Sequence, residues 1–157
     1  NDTEPDDFML FGPAYKGIPL ATATATALAK HHGRDTPFAF NRKERKNHGE
    51  GGDIVGAELK GRTVIIDDVI TAGTSVKEAV RIIRMAGAEP VALTVALDRE
   101  EKINDKGISA ADTVRKQLGL KIHAIASFSE LIKYIHSNPD LSSNVAALES
   151  YRNRYGI

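Results

Sequence analysis

Apolar residues along the chain follow two patterns: short unbroken runs, and longer stretches in which apolar positions recur every three or four residues. The run at residues 63–66 is β-branched throughout, which is typical of a strand that is covered on both faces. The run at residues 8–11 stops at a Gly-Pro pair, which indicates a buried strand that enters a sharp turn. Strands are predicted at residues 8–11, 38–40, 63–66, 91–97 and 122–126.

The longer stretches predict helices. Residues 20–30 are rich in alanine and leucine, Pro19 suits a first helical turn, and Gly33 is placed to end the helix. Further helices are predicted at residues 109–118, ended by Gly119, at residues 129–135, capped by Ser127, and at residues 143–152.

The helix after the third strand has a clear amphipathic pattern. Thr74 or Ser75 is predicted to cap its start, and Gly87 to end it after residue 85 or 86. The apolar residues that share one face are Val76, Ala79, Val80 and Ile83.

Strands and helices alternate along the chain, which predicts an α/β fold with a mainly parallel sheet and helices on both faces. Two segments break the alternation. Residues 42–53 have three glycines, dense charge and no apolar periodicity, so we expect a mobile loop. Residues 56–62 are predicted to form a turn or a short antiparallel excursion. Ligands of such sheets bind beyond the carboxyl ends of the strands, where we expect the functional site.

Composition limits the classes of function. A chain of 157 residues can bury one core, and we predict a single domain over residues 1–157. The 21 basic and 21 acidic residues cancel, so no overall field favours nucleic acid or a membrane, and we expect neither as a partner. The chain has no cysteine, no apolar run of membrane-spanning length and no signal-peptide pattern at its acidic start. We therefore expect a cytoplasmic protein.

The segment VIIDDVITAGTS, residues 64–75, is predicted to bind a phosphate monoester. Asp67 and Asp68 end the apolar strand, and Gly73 lets the backbone approach a ligand closely. The start of the next helix adds free amide groups and the positive end of a dipole. The two acids would accept hydrogen bonds from sugar hydroxyls, or lie near a magnesium ion that the ligand's oxygens mainly hold. Hydroxyl donors come from Thr71, Thr74 and Ser75.

An alternative is that Asp68 and Thr74 merely cap a turn and a helix. The GxxxxGK[ST] and GxGxxG patterns of other phosphate sites do not occur. The segment resembles the ribose-phosphate motif of the type I phosphoribosyltransferases: four apolar positions, two acids, two more residues and TxGTS. The resemblance implies the fold of that family. It also implies contacts with phosphoribosyl pyrophosphate by Asp67, Asp68, Val69, Ile70, Thr71, Ala72, Gly73, Thr74 and Ser75.

Three further segments resemble the orotate phosphoribosyltransferases in particular: FGPAYKGIPLA at residues 11–21, FNRKERKNHGEGG at 40–52 and LDRE at 97–100. The first implies that Tyr15 and Lys16 contact the donor's pyrophosphate. The third assigns Arg99 to the carboxylate of orotate, with a further contact from Thr71. The second implies contacts with the donor's phosphates by Arg42, Lys43, Lys46 and His48.

Each of these residues also has a plainer interpretation. Lys16 would more often be a solvated surface lysine, and a run of cations such as residues 42–48 is usually a solvated face. Arg99 could instead form a salt bridge with Glu100 or Glu101.

The resemblance implies transfer of a phosphoribosyl group from phosphoribosyl pyrophosphate to orotate, a step of pyrimidine biosynthesis that uses Mg²⁺. We predict Lys46, His48 and Asp68 as catalytic residues, and a homodimer in which the loop at residues 42–52 is shared across the interface. Two alternatives stay open: a transferase for a purine or another pyrimidine, and a regulatory module that binds without turnover. Family members also carry an amino-terminal hood before the position of Phe8. We expect that hood to be missing from these 157 residues.

Overall fold

A computed structural model describes residues 7–43, 53–70, 73–103 and 107–157. Its strands are β1 (Met9–Gly12), β2 (Phe38–Asn41), β3 (Ile54–Gly56), β4 (Arg62–Val69), β5 (Glu89–Asp98) and β6 (Lys121–Ser127). They form one sheet in the order β3-β2-β1-β4-β5-β6. Neighbouring strands are parallel, except β2 and β3, which are antiparallel. The predicted mainly parallel sheet is confirmed.

All the predicted helices are present, with ends that differ by a few residues. Gly33 and Gly119 adopt left-handed conformations directly after α1 and α3, as helix-ending glycines do. Ser127 caps α4 by accepting the backbone N–H of Glu130. The helices are α1 (Gly17–His32), α2 (Thr74–Met85), α3 (Ala110–Leu118), α4 (Phe128–His136) and α5 (Val145–Tyr155), and a 3-10 helix spans Pro139–Asn144. None of the described helices combines the length and the hydrophobicity of a membrane span.

Hydrophobic side chains form a core on each face of the sheet, because successive residues of a strand point to opposite sides. In β1, Phe11 belongs to the core beneath α2 and α3, whereas Leu10 belongs to the core beneath α1. The predicted apolar face of α2 lies in the first core, with Val76 and Ile83 almost fully buried. Small residues of α1, Ala21 and Ala25, lie in the second. Helices on both faces are therefore confirmed.

The start of α2 differs from the prediction. Neither Thr74 nor Ser75 caps the helix; Gly73 occupies the cap position with a φ of 78°. The carbonyl of Gly73 accepts the N–H of Lys77 at 2.9 Å. The left-handed conformation lets the chain turn sharply from the loop into the helix, and glycine adopts it without steric cost. The predicted cap was therefore wrong by one or two positions.

Strand boundaries differ as well. Asp67 and Asp68 lie inside β4, because its pairing with β5 continues to Val69. The antiparallel excursion is β3, which begins at Ile54 and pairs with β2, so it starts before the predicted segment. Within the predicted loop at residues 42–53, the backbone N–H of Arg42 donates to the carbonyl of Asp53 at 2.7 Å. Residues 44–52 lie outside the described ranges.

Candidate active site

Three charged side chains meet at the carboxyl edge of the central strands. Lys16 follows β1, Asp68 lies near the end of β4 and Arg99 follows β5, and β4 pairs with both other strands. The ammonium group of Lys16 donates to Oδ2 of Asp68 at 2.6 Å. The charges of Asp68 and Lys16 also interact with that of Arg99. Folding thus joins residues that sequence analysis selected in three separate segments.

The turn between β1 and α1 is compact because glycines stand at both ends. A Cβ on Gly12 would lie 2.2 Å from the carbonyl oxygen of Gly17. A Cβ on Gly17 would lie 2.8 Å from the carbonyl oxygen of Ile66 in β4. Real Cβ atoms do not approach a backbone this closely, so side chains are excluded at both positions. The glycines therefore let this turn, which carries Lys16, lie against β4.

Asn41 fixes the same turn from the other side, and sequence analysis did not single it out. It ends β2 and is 6% exposed. Its Oδ1 accepts the backbone N–H of Ala14 at 2.9 Å. The only signal in the sequence was a polar residue at the end of an apolar strand. Asn41 thereby connects the turn to the segment that begins at Arg42.

Two further predicted residues meet beside this turn. Tyr15 is 60% exposed, and its peptide bond with Ala14 is cis. The ammonium group of Lys43 lies 5.1 Å from the centroid of the Tyr15 ring, within the range of a cation–π contact. Arg42 and Lys43 are exposed. Lys46 and His48, predicted as catalytic residues, lie outside the described ranges.

The two aspartates of β4 have different environments. Asp67 is 7% exposed; its Oδ1 accepts the N–H of Asp68 at 2.9 Å and its Oδ2 accepts the hydroxyl of Ser75 at 3.3 Å. Burial raises the pKa of Asp67 above its ordinary value. Burial acts in the same direction on Asp68, but hydrogen bonds from Lys16 and the Val69 N–H outweigh it and lower the pKa of Asp68. Asp68 is therefore the acid held in its charged form, and Asp67 ties β4 to α2.

The connection from β4 to α2 exposes polar groups around a buried glycine. Gly73 is buried, whereas Thr74 and Ser75 are exposed in the first turn of α2, whose first amides have no carbonyl partner within the helix. Ile70 is 1% exposed, and its side chain belongs to the core beneath α2 and α3. Val69 is half-buried, and Thr71 and Ala72 lie outside the described ranges.

Arg99 makes the salt bridge that the plainer interpretation expected. Its Nη2 lies 2.7 Å from Oε2 of Glu101, and the Arg99 side chain remains 34% exposed. The hydrogen bond from Arg99 to Glu101 raises the pKa of Arg99. Glu100 instead accepts the backbone N–H of Ser129 at 2.9 Å. The contact of Arg99 with a ligand carboxylate stays a prediction.

No group of three or more acidic or histidine side chains within the described ranges is arranged to hold a metal ion. Asp67 and Asp68 are neighbouring carboxylates of the hard, oxygen type that Mg²⁺ prefers, and the Asp68 side chain is 29% exposed. Both already accept hydrogen bonds from the protein. A divalent cation at this edge would therefore take most of its oxygens from a bound ligand.

Comparison with known proteins agrees with these features. A family model described as phosphoribosyl transferase domain matches residues 1–132. The chain is 56% identical over 149 residues to the orotate phosphoribosyltransferase of Thioalkalivibrio sulfidiphilus (strain HL-EbGR7), covering 95% of this chain and 70% of the relative. Identity to the enzyme of the same name from Cronobacter sakazakii (strain ATCC BAA-894) is 47% over 156 residues, covering 99% and 73%.

A solved structure has the same fold. The crystal structure of orotate phosphoribosyltransferase from Francisella tularensis matches with a TM-score of 0.78 and 35% identity, over 95% of this chain and 70% of that one. The resemblance of residues 64–75 to type I phosphoribosyltransferases is thus confirmed for the whole fold. The chain belongs to the phosphoribosyltransferase family, and within that family to the orotate phosphoribosyltransferases.

Proposed function

We propose that the chain transfers the 5-phosphoribosyl group of phosphoribosyl pyrophosphate to orotate, giving orotidine 5'-monophosphate and pyrophosphate in pyrimidine biosynthesis. The observation that carries this proposal is the convergence of Lys16, Asp68 and Arg99 at one edge of the sheet, next to the turn into α2. A cation for phosphates, an acid for sugar hydroxyls and a planar guanidinium for a carboxylate are the groups that this donor and acceptor require.

The turn from β4 into α2 would bind the 5-phosphate of the donor. Gly73 allows close approach, and the hydroxyl of Thr74 and the first amides of α2, including that of Ser75, would donate to phosphate oxygens. Thr71, with the backbone of Ala72, Ile70 and Val69, would complete this contact. Asp68 would accept hydrogen bonds from the ribose hydroxyls, while Asp67 holds Ser75 in place.

The pyrophosphate end of the donor would lie near Tyr15 and Lys16, and its phosphates would also contact Arg42, Lys43, Lys46 and His48. The bond to the sugar breaks as the pyrophosphate leaves, so negative charge grows on the leaving group. Fixed cations stabilise that charge without any covalent intermediate. In this reaction Lys46, His48 and Asp68 would be the catalytic residues.

Arg99 and Thr71 would bind orotate. A guanidinium donates two parallel hydrogen bonds to a carboxylate, which distinguishes orotate from a base without that group. Asp68 also attracts Arg99 electrostatically toward the donor site. The acceptor and the sugar would thus be held close together, which lowers the entropic part of the barrier.

Magnesium is part of this proposal. A bound Mg²⁺ neutralises charge on pyrophosphate oxygens and helps orient them. The neighbouring carboxylates Asp67 and Asp68 suit a position near such an ion, with the donor's own oxygens as its main ligands.

We infer further that residues 1–157 form one catalytic core domain around the six-stranded sheet, in the cytoplasm. We also infer that the enzyme is a homodimer, with the basic loop at residues 42–52 shared between the two sites. Sedimentation of the purified protein tests the dimer, and a mass of one chain would contradict it.

An assay tests the proposed reaction directly. The purified protein is mixed with orotate, phosphoribosyl pyrophosphate and Mg²⁺, and the orotate absorbance is followed. We expect the absorbance to fall and the fall to stop when a chelator removes the metal. Turnover with a purine or another pyrimidine only, or binding without turnover, would contradict the proposal.

A further inference from the structure

Arg99 is held by a neighbouring carboxylate. Its Nη2 donates to Oε2 of Glu101 at 2.7 Å, and the Glu101 side chain is only 18% exposed. This bond uses one of the five N–H donors of the guanidinium. The buried Nε of Arg99 has no hydrogen-bond partner within the described ranges. Arg99 is thus oriented by Glu101, and because its side chain is 34% exposed it keeps other N–H donors for a ligand.

Glu101 is held in turn from the last helix. Its Oε1 accepts the hydroxyl hydrogen of Tyr151 in α5. Because each carboxylate oxygen has a different partner, rotation of the carboxylate would break at least one of the two bonds. The hydrogen bond to Glu101 raises the pKa of Tyr151, which keeps its hydroxyl protonated as a donor. Arg99, Glu101 and Tyr151 therefore form a continuous chain of side chains from the site to α5.

Backbone hydrogen bonds attach the end of α5 to the residues on either side of Glu101. The N–H of Lys102 donates to the carbonyl of Tyr155 at 2.9 Å. The N–H of Ile157 donates to the carbonyl of Glu100 at 3.0 Å. The segment that follows β5 is therefore attached to the end of α5, and the position of Tyr151 relative to Glu101 is set by the fold.

We propose that Glu101 and Tyr151 are positioning residues that hold the guanidinium of Arg99 in the orientation in which it binds the carboxylate of orotate. The inference rests on the proposed function, which assigns Arg99 to that carboxylate. Bidentate recognition depends on the plane of the guanidinium, so a guanidinium free to rotate would bind the same carboxylate more weakly. Neither Glu101 nor Tyr151 contacts the substrate in this role; they act through Arg99.

Tyr151→Phe tests the inference, because it removes the hydroxyl and keeps the ring. We expect the KM for orotate to rise about tenfold, as for loss of a hydrogen bond to a charged group, while the KM for phosphoribosyl pyrophosphate stays within about twofold. Tyr134→Phe is the matched control, because Tyr134 is 59% exposed on α4. It should leave both KM values unchanged.

A second measurement separates positioning from general damage to the site. Uracil has the pyrimidine ring of orotate but no carboxylate, so its binding does not depend on Arg99. We expect its inhibition constant to be the same for the parent protein and Tyr151→Phe. Glu101→Gln should behave like Tyr151→Phe, because an amide NH₂ cannot accept the bond that one carboxylate oxygen accepts.

The outcomes distinguish this inference from the proposed function. A parent protein that does not consume orotate would overturn the proposed function, and the inference with it. With an active parent, an unchanged orotate KM in Tyr151→Phe would overturn the inference alone. Equal rises in both KM values together with weaker uracil binding would do the same, because they indicate a structural role.

Discussion

Asp67 and Asp68 are identical residues next to each other in β4, yet they take different parts in the site. Successive residues of a strand point to opposite faces, so only one of the two can reach Lys16. The other is buried and accepts hydrogen bonds from the Asp68 N–H and Ser75. The pKa of Asp67 is raised by burial, and hydrogen bonds from Lys16 and Val69 lower that of Asp68 despite burial. The two acids of the motif therefore have different roles: Asp67 holds Ser75, and Asp68 pairs with Lys16.

Asp67→Asn and Asp68→Asn should change the pH dependence of the free energy of unfolding in opposite directions. For Asp67 the folded pKa is above the ordinary 3.8, so ionisation weakens the folded state as pH rises from 3.8 through the folded pKa. The Asp67→Asn variant does not undergo this loss. Its free energy of unfolding, relative to that of the parent protein, should therefore increase as pH rises over the same range. For Asp68 the folded pKa is below 3.8, so its contribution is present above 3.8 and lost as pH falls through the folded pKa. Asp68→Asn should lose stability relative to the parent as pH rises toward 3.8.

Urea unfolding at a series of pH values measures both effects. Asp140→Asn is the control for a change in net charge, because Asp140 is exposed in the 3-10 helix that follows α4. Trends of the same sign in the Asp67 and Asp68 variants would contradict the assignment of separate roles.

At the junction of β1 and α1, the start of the helix depends on a residue that has no side chain. Gly12 does not have the positive φ that favours glycine, but the backbone of Gly17 occupies the space in which a Cβ on Gly12 would lie. The helix can therefore begin directly against the strand, with Lys16 between them at the sheet edge. Glycine is therefore required at position 12 because a side chain would not fit there, and not because of its backbone conformation.

Gly12→Ala should destabilise the protein by about 3 kcal/mol or more, because the added methyl group meets backbone that cannot rotate away. Gly33→Ala is the matched control: its φ is +62° and nothing lies within 4 Å of a Cβ, so only conformational strain of about 1–2 kcal/mol is expected. Urea unfolding gives both values. Gly33→Ala should keep orotate turnover and Gly12→Ala should lose it; equal costs in the two variants would contradict a steric role for Gly12.

Over the described ranges, the molecule is a sheet with one hydrophobic core on each face, and the candidate site lies at one edge of that sheet. The core beneath α2 and α3 and the core beneath α1 lie on opposite faces of the sheet. The carboxyl ends of β1, β4 and β5 bring the charged residues together at that edge. We therefore expect stability and ligand binding to depend on largely different residues.

Substitutions in the two cores should be additive. Leu10→Ala and Ile83→Val are expected to cost about 2–5 and 0.5–1.5 kcal/mol, and the double variant should match their sum within about 0.5 kcal/mol. Val80→Ala with Ile83→Val is the comparison within one core, where residues three apart on a helix are neighbours and should couple by about 0.5 kcal/mol or more. Urea unfolding measures each free energy. Strong coupling between Leu10 and Ile83 would show that the sheet does not separate the cores.

The sequence by itself determined the order of the helices and strands, the two-faced sheet and the family of the phosphate motif. These follow from neighbouring residues: apolar runs and periods, and the continuous segment at residues 64–75, whose residues stand next to one another in the chain. The cap of α2 was misplaced even so, because the choice between Gly73 and Thr74 depends on how the chain turns out of β4.

Only the tertiary structure decided how the site residues are paired. Asn41 and Ala14 are 27 positions apart, Glu101 and Tyr151 are 50 apart, and Lys16 and Asp68 are 52 apart. No local pattern links such partners, because strand order and crossover connections set their proximity. The resemblance could assign Arg99 to a ligand from a local segment. Only the fold shows that Arg99 donates to Glu101 and that Glu101 accepts the hydroxyl of Tyr151.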